Sequence, residues 1–411
     1  MPSSNRAFLQ LVRLGIGTEP VSSFRFQHSI DWDEVEALAI KQGLLGVVLD
    51  GVQRLAESAD NADTIPYKKK LEWLGQVMQG YELRYKDYRN ALAKLAAFYN
   101  SHGYKMMVLK GYACGLNWPK IEHRPYGDID IWMFGRQKEA DALIESLEFK
   151  VRSSSSRAIA ESLESVDSGE LKVGSIKVDK SHHHHTVFNW MGFTVENHYD
   201  FENVHHHKSS VELEKVFKEL GDISHTESTE NTESAGLRIS SIELSGNKVY
   251  LPSPNHHALL LLKNSMTDFA AFYVTLRHVL DWGFHVEKYG KEIDWEWLEG
   301  VAEQYHMTDY YNCINTICVE DLGFQLVDSL RLKVESQLKS AEFRDLKERV
   351  LADILEPKFS RVPPDKRFLP KAWYMYRRWK GNEWKHKMCY NESMWSAFWS
   401  GIGNHLVKPK V

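Results

Sequence analysis

Residues 124–131 read Arg-Pro-Tyr-Gly-Asp-Ile-Asp-Ile, and this segment limits the fold more sharply than any other. Two aspartates one residue apart sit inside an apolar run. In an extended strand, side chains at i and i+2 share a face. A strand over 128–134 therefore projects Asp128 and Asp130 together and sends Ile129, Ile131 and Met133 into a core. Left alone, two such carboxylates repel each other. A divalent cation bound to phosphate relieves that repulsion, because it calls for hard anionic oxygen donors side by side. The segment thus predicts a buried sheet whose edge of polar chemistry is one of metal-assisted phosphoryl or nucleotidyl transfer.

The surrounding pattern supplies the other parts such chemistry needs. An apolar stretch at 105–109 reads as a short strand and is followed by Lys110 and Gly111. Lys110 stands where strand becomes turn, as a point charge for a triphosphate. Arg124, with its planar fork, is a bidentate phosphate ligand by type. Gly111 permits close approach of backbone N–H groups to phosphate. A third carboxylate is wanted from a neighbouring strand. Glu196, in the strand pattern 193–198, is the choice, and Asp200 at the end of that run is its competitor. His198, two residues on, shares the face of Glu196 and is read as a phosphate contact or as a group that orients a carboxylate. The bland alternative makes the acids a solvated edge paired with Lys110 and Arg124, which leaves their common face unexplained.

These motifs resemble the nucleotidyltransferase-fold superfamily, that of DNA polymerase β and kanamycin nucleotidyltransferase. More closely they resemble the bacterial uncharacterised nucleotidyltransferase family. The likeness rests on Leu109-Lys110-Gly111, Arg124, Gly127-Asp128-Ile129-Asp130 and Glu196-Asn197-His198, and extends over roughly residues 5 to 310. It implies an α+β fold, a nucleotidyltransferase-like mixed β-sheet core flanked by N-terminal and C-terminal helical regions. It also implies Asp128, Asp130 and Glu196 as ligands of Mg²⁺ (or Mn²⁺) and NTP as donor. Gly111 is followed by Tyr112 and the first aspartate is preceded by Gly127, where the wider superfamily carries small or hydroxylated residues.

The expected organisation is an N-terminal helical region over 1–100, an α/β core over 101–255, a helical domain over 256–355, and a basic aromatic segment over 356–411. Asp31 is the expected cap of a helix ending near Gly43, and 67–99 reads as one long helix. The Ser-rich stretch 153–181 reads as loops with a hairpin, and 223–234 as an exposed loop. His182–His185 and His205–His207 are candidate imidazole ligands, although consecutive residues of a strand cannot all face one ion. Arg277 and Asp281 are four apart and read as a helix-face pair.

Composition excludes some classes. A net charge of −5 argues against a wholly basic nucleic-acid binder. No apolar run is long enough to span a bilayer, the N-terminus lacks the apolar core of a signal peptide, and four cysteines in 411 residues make no disulfide framework. A cytoplasmic protein is expected. The interleaved cations and aromatics of 358–387 suit an anionic partner, either single-stranded nucleic acid or a membrane surface, or a helix docked on the acidic remainder. The leading reading is a Mg²⁺-dependent nucleotidyltransferase acting on an acceptor hydroxyl of RNA, protein, sugar or small molecule. Its alternatives are a catalytically silent binding module of the same fold and a His-rich metallohydrolase.

Overall fold

A computed structural model describes residues 2–23, 30–56, 65–152, 171–201, 207–225 and 237–390, together with 395 and 399. Most of the Ser-rich stretch, most of the 223–234 loop, His205 and His206 lie outside the described residues, as does nearly all of the chain beyond 390.

The chain forms an α+β fold in two compact units whose segments alternate along the sequence. One unit takes 1–84, 115–125 and 258–394, and the other takes 85–114, 126–257 and 395–411. In the first unit the helix Trp32–Gln42 begins at Asp31, whose carboxylate accepts from the Asp33 and Glu34 amides, and ends at Gly43 in a left-handed conformation. The run expected as one long helix is the helix Tyr67–Val77, a π-helical turn Met78–Glu82, and the helix Leu83–Ser101. Wide turns of this kind leave no periodic mark in the sequence. The helical pattern after 256 appears as separate helices, including Leu276–Tyr289, Asp328–Gln337 and Ala341–Leu355.

The second unit holds the sheet. Its strands are β1 (Met107–Val108), β2 (Ile129–Trp132), β3 (Glu148–Arg152), β4 (Leu171–Ser175), β5 (His185–Trp190), β6 (Phe193–His198), β7 (Ser240–Leu244) and β8 (Asn247–Leu251). Six of them make one mixed sheet in the order β5-β6-β2-β1-β8-β7, while β3 and β4 pair separately. β2 runs parallel to β6 and antiparallel to β1. Strand β2 is buried at all four positions, which is the condition of a central strand covered on both faces. The β5–β6 hairpin closes through Met191 and Gly192, both at positive φ, as a type I′ turn requires. That tight turn fixes the register placing His185 opposite His198. Among the described residues no helix is long and apolar enough to cross a membrane. The four cysteines are free and buried.

Candidate metal centre

The parallel pairing of β2 with β6 sets the centre. Asp130 and Glu196 are register partners, and His198 follows Glu196 on the same face. One donor atom each from Asp130, Glu196 and His198 fall within 4.8 Å of one another. His198 Nε2 lies 3.1 Å from Asp130 Oδ1 and 3.6 Å from Glu196 Oε2. Lys110 enters from the turn after β1, with Nζ 3.0 Å from Asp130 Oδ1. The Leu109 amide donates to the Asp130 carbonyl at 3.0 Å, which ties the lysine-bearing turn to the strand.

Asp128 departs from the expected geometry. It lies just before β2, exposed, while its strand neighbour Asp130 is buried. Its carbonyl accepts from the Tyr88 hydroxyl at 3.3 Å. Its carboxyl is nevertheless electrostatically joined to the cluster: burial raises its pKa, and the negative charges of Glu196 and Asp130 raise it further. Burial alone would raise Asp130 too, but Lys110 and His198 outweigh it and hold that carboxyl well below the usual range. For His198, burial opposes the charged form, yet the hydrogen bonds to Asp130 and Glu196 prevail and raise its pKa.

Asp130 and Glu196 thus meet one ammonium and one imidazole, with Asp128 coupled to them electrostatically. The donor set combines oxygen and nitrogen within metal-ligand reach and carries an excess of negative charge, so the residues fit a divalent cation. Asp200, the competing third acid, is instead paired with Lys218 at 2.5 Å.

Other predicted residues have found different partners. Gly111 has φ of +51°, and a Cβ there would lie 2.5 Å from the Tyr88 hydroxyl oxygen, so packing alone demands glycine. In the helical unit, Arg124 is buried and grips Asp281 with both arms, Nε to Oδ1 at 2.8 Å and Nη2 to Oδ2 at 2.9 Å. Its Nη1 donates to the Pro125 carbonyl at 3.2 Å. The Trp118 indole also donates to Asp281, and Arg277 lies 3.5 Å from it. The expected Arg277–Asp281 pair is therefore the lesser part of a buried network. That network has no local signal, since Arg124 and Asp281 are 157 residues apart.

The histidine run divides. His185 opens β5, with Nε2 3.9 Å from Glu196 Oε1, and His184 bonds to His185 at 2.8 Å. Burial pulls the pKa of His184 down to about 2 and that of His185 to about 4, so both are neutral imidazoles. His182 is exposed. On the opposite face of β6 lies a feature that sequence reasoning missed: buried Asp141 accepts from Thr186, Asn197 and Tyr199. This carboxylate fastens both strands of the hairpin to the helix Gln137–Glu145 behind the candidate centre.

A family model described as an uncharacterised nucleotidyltransferase matches residues 28–322, and the chain belongs to that family. No curated protein and no solved structure gives a significant match.

Proposed function

We propose that this chain transfers a nucleotidyl group from NTP to an acceptor hydroxyl, using a divalent cation, Mg²⁺ or Mn²⁺, held by Asp128, Asp130 and Glu196. The observation that carries this reading is the register pairing of Asp130 with Glu196 on parallel strands, with His198 beside them, in a chain of nucleotidyltransferase family. When bound, the cation would polarise the α-phosphate and lower the pKa of the attacking hydroxyl.

The protein's own groups then have separate tasks. His198 holds Asp130 and Glu196 in a fixed relation through its two contacts. Lys110 balances Asp130, and would be released to hold phosphate oxygens were a cation to bind that carboxylate. Glu196, the more exposed of the two strand carboxylates, accepts the proton that the acceptor hydroxyl loses. The new bond joins the acceptor oxygen to the α-phosphorus, and pyrophosphate leaves. Gly111 shapes the Lys110 turn. Arg124 is not assigned to the triphosphate, because gripping one would require it to abandon buried Asp281.

The test is incubation with each NTP labelled at its α-phosphate, with Mg²⁺ or Mn²⁺ and a cell extract. Parallel thermal unfolding with nucleotide reports binding. The proposal expects label in an acceptor with the wild type and at least ~10²-fold less with Asp130→Asn. Equal labelling by the variant would overturn it. Nucleotide-dependent stabilisation without any labelling would assign the fold to binding alone.

A further inference from the structure

The helix Phe368–Gly381 is amphipathic, yet it docks by its polar side. Tyr374 donates to the Ser360 carbonyl at 3.0 Å, and Arg378 donates to the Arg361 carbonyl at 2.8 Å while its guanidinium lies 4.6 Å from the centre of the Phe272 ring. One turn on, Asn382 donates to the Ala271 carbonyl at 3.2 Å. These three residues recur every four positions and form the inward stripe.

At about 100° per residue, the apolar side chains occupy an arc of about 160° centred opposite Tyr374. They point outward. Phe368 is 81% exposed, Leu369 76%, Trp373 61%, Tyr376 46% and Met375 44%. Trp373 and Tyr376 stack on each other with ring centres 5.7 Å apart. An ordinary surface helix buries such a face, so this arrangement marks a surface made to be covered.

What covers it follows from the charges. Lys371 borders one side of the arc, Arg377 the other, and Lys380 the C-terminal end, all exposed. Across 358–387 the sequence has ten lysines and arginines against two acids, in a chain whose net charge is −5. A second copy docked face to face would bring like charges together. A single-stranded nucleic acid would need cations interleaved with rings on one face. Here Lys371 and Arg377 flank a broad apolar arc containing Leu369 and Met375, and Lys380 enters it only at the C-terminal end of the helix. Tryptophan, tyrosine and rim cations are the composition of a helix lying in a bilayer interface.

We infer that the helix Phe368–Gly381 is an interfacial anchor for an anionic lipid bilayer. It lies in the plane of the headgroups with its apolar arc immersed and its cations on the lipid phosphates. The acidic remainder of the chain is repelled from the same surface, which orients the protein.

Flotation of the full chain with two vesicle compositions tests this: phosphatidylcholine alone, and phosphatidylcholine with roughly one third phosphatidylglycerol. The wild type is expected to float with the anionic vesicles, to do so several-fold less at roughly 0.5 M salt, and to remain largely free of neutral ones. The double variant Leu369→Glu/Trp373→Glu should lose at least ~10-fold in affinity, since two immersed side chains become charged. Its unfolding midpoint should not move, because both residues are exposed. Leu369→Ala/Trp373→Ala should weaken binding in the same direction. Failure of the wild type to float, or undiminished flotation of the double variant, overturns the inference. So does a homodimer, or retention of single-stranded RNA, that the same double variant abolishes while the wild type ignores anionic vesicles.

Discussion

His256 shows how much a single side chain can cost this fold. It is buried, its ring meets Phe201 at 4.8 Å between centres and Phe217 at 5.6 Å, and neither ring nitrogen has a hydrogen-bond partner among the described residues. Burial drives its pKa down to about 3. Between the ordinary histidine value near 6.5 and that depressed value, the unfolded chain takes up a proton that the folded imidazole refuses. Stability therefore falls as pH drops through that window and is at its full value above it. His256→Phe should raise stability by about 1 kcal/mol or more near pH 7 and flatten the acid limb, as measured by urea unfolding across pH. An unchanged acid limb would mean that His256 carries none of it. At the candidate metal centre, His198→Ala removes the contacts that orient Asp130 and Glu196 and should lower cation affinity, followed by Mn²⁺ titration, about 10- to 100-fold. The shared face of Glu196 and His198 was legible, because strand periodicity alone puts residues two apart on one side. The role of Arg124 was not legible, because its partner lies far along the chain and an arginine fork fits a carboxylate as well as a phosphate.

At the scale of elements, the candidate centre depends on two strand pairings, and the helical unit has a buried ion pair of its own. β2 was expected over 128–134, but it occupies only Ile129–Trp132, leaving Asp128 outside the ladder. A strand's ends are set by where its neighbours stop, which one sequence does not display. For the same reason β7 went unread: Ser240–Leu244 has little apolar content and is held by its hairpin partner β8. Strand β6 was readable from the β-branched and aromatic residues of 193–198. Arg124 and Asp281 are each about 4% exposed at the side chain. Arg124→Ala leaves the buried Asp281 carboxylate with only the Trp118 indole and the more distant Arg277, and should destabilise by about 3 kcal/mol. The double change Arg124→Met/Asp281→Leu should recover most of that loss in the same urea experiment. If the single variant costs under about 1 kcal/mol, the pair is dispensable and Arg124 becomes free to serve elsewhere.

For the molecule as a whole, the alternation of helices, mixed sheet and helices was visible in the changing hydrophobic period. The grouping of chain segments into two interleaved units was not, because it rests on contacts between distant segments. The proposed chemistry requires carboxylates from neighbouring strands to share a divalent cation that faces a nucleotide. Titration of the protein with Mn²⁺, followed by electron paramagnetic resonance of the free ion with and without a non-hydrolysable NTP analogue, tests it directly. The wild type should bind Mn²⁺, and more tightly with the analogue present. Asp130→Asn and Glu196→Gln should each weaken that binding by at least ~10-fold while folding as the wild type does. Mn²⁺ affinity that is unmoved by either substitution, or indifferent to the nucleotide, would contradict the claim.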